Sequence, residues 1–302
     1  MRKLIPLFLF LFSACELIVD VNVPFDPTKI VVNALQRTDS TWYVELTHTK
    51  PVTGPEEYGY VYIPDARVTI HNPDGTTEIL KVDNYGIFHG VSYPIPGETY
   101  KITVDASGME SAEAQMTMPL VVPIADVKWD STGVEEQTSK PHAFYVDVPF
   151  IVTFNDPQDT KNYYAVRVAE MIRREYKGSN GETVMDTIWR VRENGILDDP
   201  GIATKDEFKT VFPDNTFNGQ TYTAHFKNQF YIEPTETRLK VVAQLLSLSE
   251  DYLKYQETKN LQRDVMGDPF AQPVQVYSNV SSGFGIFAGS SIDSREWRRD
   301  NP

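Results

Sequence analysis

Apolar and polar residues alternate with period two through most of this chain, interrupted at short intervals by turn residues, and that pattern predicts half-buried β-strands. Lys29 to Leu35 is the first such segment and Trp42 to His48 the second. Ala66 to His71 passes through the turn sequence Asn72-Pro-Asp-Gly75 into Thr76 to Val82, which reads as a hairpin. Tyr85 to Phe88 and Tyr100 to Val104 flank Pro94-Ile-Pro-Gly97, and Ala112 to Met118 closes the series before Pro119. About seven short strands with turns roughly every 8–12 residues predict an immunoglobulin-like or transthyretin-like β-sandwich over residues 29–120.

A second β-rich unit is expected over residues 121–302, opening at Val122 to Trp129. The polar stretch Ser131 to Lys140 reads as a loop. Phe144 to Phe154 and Tyr163 to Ile172 are long segments rich in aromatic and β-branched residues, and Thr187 to Val191, Gln220 to Phe226 and Leu239 to Leu246 extend the same sheet system. The period then changes. A helix is predicted near residues 248–263, with Ser249 as N-cap, Glu250 and Asp251 in its first turn, and Tyr252, Tyr255 and Lys259 along one face. Pro269, Pro273 and the glycines at 283, 285 and 289 rule out helix beyond it, and the charged tail from Asp293 to Pro302 reads as partly disordered. The fold class is thus mainly β, with one helix in the second unit.

The N-terminus departs from this pattern. Arg2 and Lys3 precede an apolar run from Leu4 to Phe12, followed by the small residues Ser13 and Ala14 and then Cys15, the single cysteine of the chain. That order is a lipoprotein signal: residues 1–14 form a leader too short for the about 20 apolar residues a spanning helix needs. Cys15 would become the lipidated N-terminus, carrying diacylglycerol and an N-acyl chain such as palmitate, with residues 15–28 as a tether. A plain secretory leader followed by an incidental buried cysteine is the alternative, and Phe12 stands where this motif more often has leucine.

Composition narrows the partners. Removing residues 1–14 takes away two basic residues and no acid, moving the formal charge from −14 to −16. No basic run exceeds Arg173-Arg174 or Arg298-Arg299, which argues against nucleic acid. With one cysteine, neither an intrachain disulfide nor a cysteine-type zinc site is available, so burial must hold the fold.

Candidate chemistry is sparse. His48, His71, His89, His142 and His225 lie far apart, and none has a partner at metal-ligand spacing. Ser281-Ser-Gly-Phe-Gly285 lacks a strand-to-helix elbow and a following histidine, and Gly283-Phe-Gly285 lacks the surroundings of a dinucleotide loop. Asp156, Asp159, Asp198 and Asp199 offer oxygen donors for calcium but not its loop pattern, and turn capping is the favoured role. These residues point to no catalytic residue and no cofactor. Tyrosine and phenylalanine, 16 each, can supply stacking platforms or partner interfaces where they are exposed.

Three segments carry a resemblance: Leu246-Ser-Leu-Ser-Glu-Asp-Tyr-Leu-Lys-Tyr255, Asp268-Pro-Phe-Ala-Gln-Pro-Val-Gln-Val-Tyr-Ser-Asn-Val280, and Gly283-Phe-Gly-Ile-Phe-Ala-Gly289. With the lipidated Cys15 and the first sandwich, they resemble the Bacteroidota lipoprotein family catalogued as domain of unknown function 4249. The resemblance implies an outer-membrane, lipid-anchored protein of the cell envelope. It also implies partnership with a TonB-dependent receptor, because the family's genes often adjoin those of such receptors. It brings no activity, and the nutrient or other small molecule concerned is not readable. Two other functions stay open: a surface hydrolase using carboxylates such as Glu193, Asp198 or Asp199, and a structural or adhesion protein of the envelope. On its residues alone, the segment from Tyr277 to Gly289 is expected to close the second unit.

Overall fold

The computed structural model describes residues 27–50, 59–129, 135–140, 143–192, 196–197, 211–232, 235–266 and 270–297. The leader, Cys15, most of the tether, and Glu193, Asp198, Asp199 and His142 lie outside the described residues.

The first sandwich forms where the alternation is cleanest. β1 (Ile30–Arg37) buries Ile30, Val32, Ala34 and Gln36 on one face, and β2 (Tyr43–His48) buries Val44 and Leu46 against the same core. They pair antiparallel, followed by β6 (Ile87–His89) and β5 (Lys81–Val82). The facing sheet has the order β4-β3-β7-β8, built from β4 (Thr77–Ile79), β3 (Arg67–His71), β7 (Thr99–Asp105) and β8 (Ala112–Thr117). The segment read as one strand from Thr76 to Val82 is therefore two. Leu80, buried between them, marks the point where the chain passes from one sheet to the other. Trp42 is fully buried at the centre, with its ring edge-on to Tyr100 at 4.9 Å.

The second unit packs β12 (Tyr163–Lys177), β13 (Thr183–Arg192) and β17 (Glu236–Leu248) against β11 (Ala143–Asn155), β16 (Thr221–Ile232) and β9 (Ile124–Trp129). Its core is aromatic, with Phe150, Phe154, Tyr164, Phe212, Phe217 and Phe226 buried together and the Phe217 and Tyr222 rings stacked at 3.9 Å. β14 (Ile196–Leu197) and β15 (Val211–Pro213) add short pairings to β16 and β12. Midway along β12, the buried Glu170 accepts from Arg238 Nε at 2.6 Å, and Arg190 pairs with Glu236 at 2.7 Å, tying β12, β13 and β17 in register.

Other expectations change as well. Residues 135–140, read as loop, form β10 (Glu135–Lys140), an edge strand on β11; an edge needs only backbone pairing on one side, so its polar sequence carries no apolar alternation. Of the tail from Asp293 to Pro302, read as partly disordered, residues 293–297 are the end of β18 (Phe284–Trp297), whose charged residues are used laterally, and 298–302 lie outside the described residues. Asp293 accepts from the Ile124 amide at 2.7 Å, Arg295 donates to the Ala125 carbonyl at 2.5 Å, and Glu296 pairs with Lys240 at 2.9 Å.

β18 also crosses the boundary expected at residue 120. Its first half pairs parallel with β1, from Val31 opposite Phe284 to Arg37 opposite Ser290; its second half pairs antiparallel with β17. One nine-stranded sheet, with path β13-β12-β17-β18-β1-β2-β6-β5 and β15 beside it, thus runs through both units. Val280 and Phe287 belong to the first core, so the segment expected to close the second unit closes the first.

The predicted helix is α1 (Glu250–Val265), capped by Ser249, whose hydroxyl accepts from the Tyr252 amide. Tyr252 and Leu253 pack on Tyr163, Ala165, Leu246 and Leu248, the outer face of β12 and β17. Among the described residues no helix is long and apolar enough to cross a membrane.

Candidate functional site: a pinned apolar loop

The loop from Gly90 to Glu98 joins β6 to β7 at the end of the first sandwich remote from Lys29. It is held at both ends by the core. The Gly90 amide donates to the Trp42 carbonyl at 3.0 Å, the Trp42 indole donates to Ser92 Oγ at 2.9 Å, and the Glu78 carboxylate accepts from the Val91 amide at 2.5 Å. Further along, the Ile95 amide donates to the Tyr100 hydroxyl at 2.9 Å and the Gly97 amide to the Met118 carbonyl at 2.9 Å. Trp42 and Tyr100 are both core residues, so the loop is anchored to the most buried part of the sandwich.

This rigid frame turns its apolar side chains outward. Val91 is 80% exposed, Tyr93 57% and Ile95 59%, and Leu120, 61% exposed, lies against Gly97. Side chains held in place lose little freedom on binding, so the cluster is preorganised for contact with another surface. Sequence reading treated Pro94-Ile-Pro-Gly97 only as a turn. The available signal was the apolar residues at 91, 93 and 95, in a turn where polar residues are the rule.

The signature segment near the C-terminus has a structural role. Asn279 clamps β18: its Nδ2 donates to the Phe287 carbonyl at 2.8 Å and its Oδ1 accepts from the Phe287 amide at 2.9 Å. Tyr277 donates its hydroxyl to Asp251 of α1 at 2.6 Å, and its amide donates to Thr258 Oγ1 at 2.8 Å. Burial first, and then the hydrogen bond to Asp251, raise the Tyr277 phenol to about 12. A raised phenol favours folding while it is protonated. Its contribution is complete below the ordinary tyrosine value of about 10 and is lost as pH rises from there through about 12. Tyr277→Phe is therefore expected to cost about 1–2 kcal/mol at neutral pH. Urea titrations of both proteins should show that gap closing at strongly alkaline pH; a gap independent of pH would contradict the assignment.

The other sequence candidates are not brought together. His48 Nδ1 lies 2.9 Å from the Thr49 carbonyl, His71 Nε2 lies 3.0 Å from Thr103 Oγ1, and His89 pairs with Asp83 at 3.0 Å. His225 sits exposed on β16, in a different sheet from His89. Among the described residues no three His, Cys, Asp or Glu side chains are grouped to hold a metal. Asp156 caps a turn, accepting from the Gly219 amide at 2.8 Å and from the Tyr164 hydroxyl at 2.5 Å; burial, reinforced by this carboxylate, raises the Tyr164 phenol. Asp159 is exposed in the neighbouring turn. Ser281 forms a two-way backbone bridge with Glu113, and Ser282 donates to Glu110 at 2.8 Å, so this serine pair fastens β18 to β8.

Comparison with known proteins adds a family. The family described as "Domain of unknown function (DUF4249)" matches residues 17–296. No curated protein matches the chain. Among solved structures, a two-domain fibronectin type III segment from chicken tenascin is similar at 11% identity and a TM-score of 0.21, covering 74% of this chain and 91% of that one.

Proposed function

Because the chain belongs to the family described as Domain of unknown function (DUF4249), we propose that it is a non-enzymatic outer-membrane lipoprotein, anchored at Cys15, serving as an accessory or ligand-binding partner of a TonB-dependent transporter. The observation that carries this reading is the pinned loop with Val91, Tyr93, Ile95 and Leu120 turned outward. Exposed apolar side chains on a rigid frame mark protein contact surfaces, and their burial is the main favourable term when a partner covers them. An anchor that confines the protein to the membrane plane raises the effective concentration of a barrel in the same membrane, so a modest interface suffices.

The test is a pull-down of the tagged protein from native membranes. The wild-type chain should retain an outer-membrane barrel. Tyr93→Ser with Ile95→Ser should lose it, since two central contacts contribute about 3 kcal/mol together, on the order of 100-fold in affinity. Both side chains are exposed, so the variant's thermal unfolding should match the wild type. Retention of the barrel by the double variant would reject this loop as the contact, and recovery of no barrel by either protein would reject the partnership.

A further inference from the structure

At the opposite end of the first sandwich a second set of rings is exposed. β1 begins there at Ile30, opposite His48, the last residue of β2. The His48 amide donates to the Val61 carbonyl at 3.1 Å and Thr47 bridges Tyr62, which places Tyr60 and Tyr62 at this end. The turn before β6 sits beside them: Tyr85 rides on an Asp83 cap, its amide 2.8 Å from the carboxylate, and the neighbouring Gly86 lies against Tyr62. Phe284 opens β18 opposite Val31, with the Lys29 ammonium 5.4 Å from its ring centre. Tyr85 is 80% exposed, Tyr60 77%, Phe284 41% and Tyr62 39%.

The chain enters the sandwich at this same end. Lys29 lies fourteen steps along the chain from Cys15, a reach of at most about 50 Å and much less for any chain that is not fully extended. We propose that this end, with Tyr60, Tyr62, Tyr85 and Phe284, rests in the interfacial layer of the lipid bilayer that holds the anchor. The inference depends on the reading of Cys15 as lipidated. Tyrosine suits that layer because its ring seeks the apolar side while its hydroxyl stays with headgroups and water. The Lys29 ammonium lies over the Phe284 ring, a cation–π pair at the point where the chain enters the sandwich. Four acids at this end are engaged locally, Glu45 with the Tyr62 hydroxyl, Asp83 with turn amides and His89, Asp105 with Ser111, and Glu110 with Ser282, while Asp65 is exposed. The contact therefore rests on rings more than on charge and does not require anionic lipid. In this orientation the pinned loop points away from the membrane.

The experiment uses the full lipidated protein in phosphatidylcholine vesicles, with an environment-sensitive fluorophore on the new thiol of Tyr85→Cys, Tyr60→Cys or Ile95→Cys. Lipids carrying a nitroxide at the headgroup act as quencher. The expected result is a blue-shifted, strongly quenched signal from the labels at 85 and 60 and an aqueous, unquenched signal from the label at 95. Vesicle-bound protein with aqueous labels at 85 and 60, or with equal quenching at all three, would overturn the orientation while leaving the anchor intact. Protein that fails to stay on the vesicles would overturn the anchor, and the orientation with it.

Discussion

Gly285→Ala is expected to unfold most of the first sandwich or to cost about 4 kcal/mol or more, against a total stability of about 5–15 kcal/mol for ordinary domains. Gly285 has φ of +108°, which side-chain-bearing residues rarely adopt, and a Cβ placed there would lie 1.9 Å from the Val32 carbonyl oxygen. The obstacle is the backbone of β1, the partner strand, so no rotamer change relieves it. Moving β18 away would break the parallel pairing to β1 and withdraw Phe287 from the core beside Trp42. Gly75→Ala is the control. Its φ is +84°, but the space around it is open, so only backbone strain of about 1–2 kcal/mol is expected. Denaturant midpoints should fall far more for Gly285→Ala than for Gly75→Ala; equal shifts would show that close approach to β1 does not decide the site.

Cys15→Ser is expected to move the protein from the membrane fraction to the soluble one, or to leave an uncleaved precursor. The reasoning is additive. Each buried methylene contributes about 0.8 kcal/mol, and two or more acyl chains hold a protein where one chain gives only reversible binding. Among the described residues no helix is long and apolar enough to cross a membrane. Fractionation and mass spectrometry of the N-terminus decide the point. A Cys15→Ser protein that is processed normally and stays wholly in the membrane would contradict lipidation.

Local chemistry was legible and long-range pairing was not. Ser249 followed by Glu250 and Asp251 announced the helix start at the residue where α1 is capped, because capping is a property of four consecutive residues. β1 and β2 were readable because one face of each is buried and the other wet, which writes a period of two into the sequence. β18 defeated the same reasoning. Its first half reads as a glycine-rich apolar stretch and its second as a charged tail, because different neighbours flank each half: β1 beside Phe284 to Ser290 and β17 beside Ser290 to Trp297. No local pattern announces a parallel pairing between residues some 250 positions apart.

The candidate contact surface was hidden for a related reason. Tyr93 and Ile95 look like core residues until Glu78, Trp42 and Tyr100, distant in sequence, are seen to hold the loop so that they face outward. The signature residues show the converse. Tyr277 and Asn279 stand out in sequence, yet they join α1 to β18 and clamp the strand that unites the two cores.

The most direct measurement of the proposed contact between the pinned loop and an outer-membrane barrel places a photo-reactive amino acid at Tyr93 in the otherwise native, lipidated protein, irradiates intact cells and identifies the adducts by mass spectrometry. A dominant adduct with a TonB-dependent barrel is expected from position 93 and none from position 85, at the end proposed to rest on the bilayer. Adducts from position 93 that contain no outer-membrane barrel would contradict that contact.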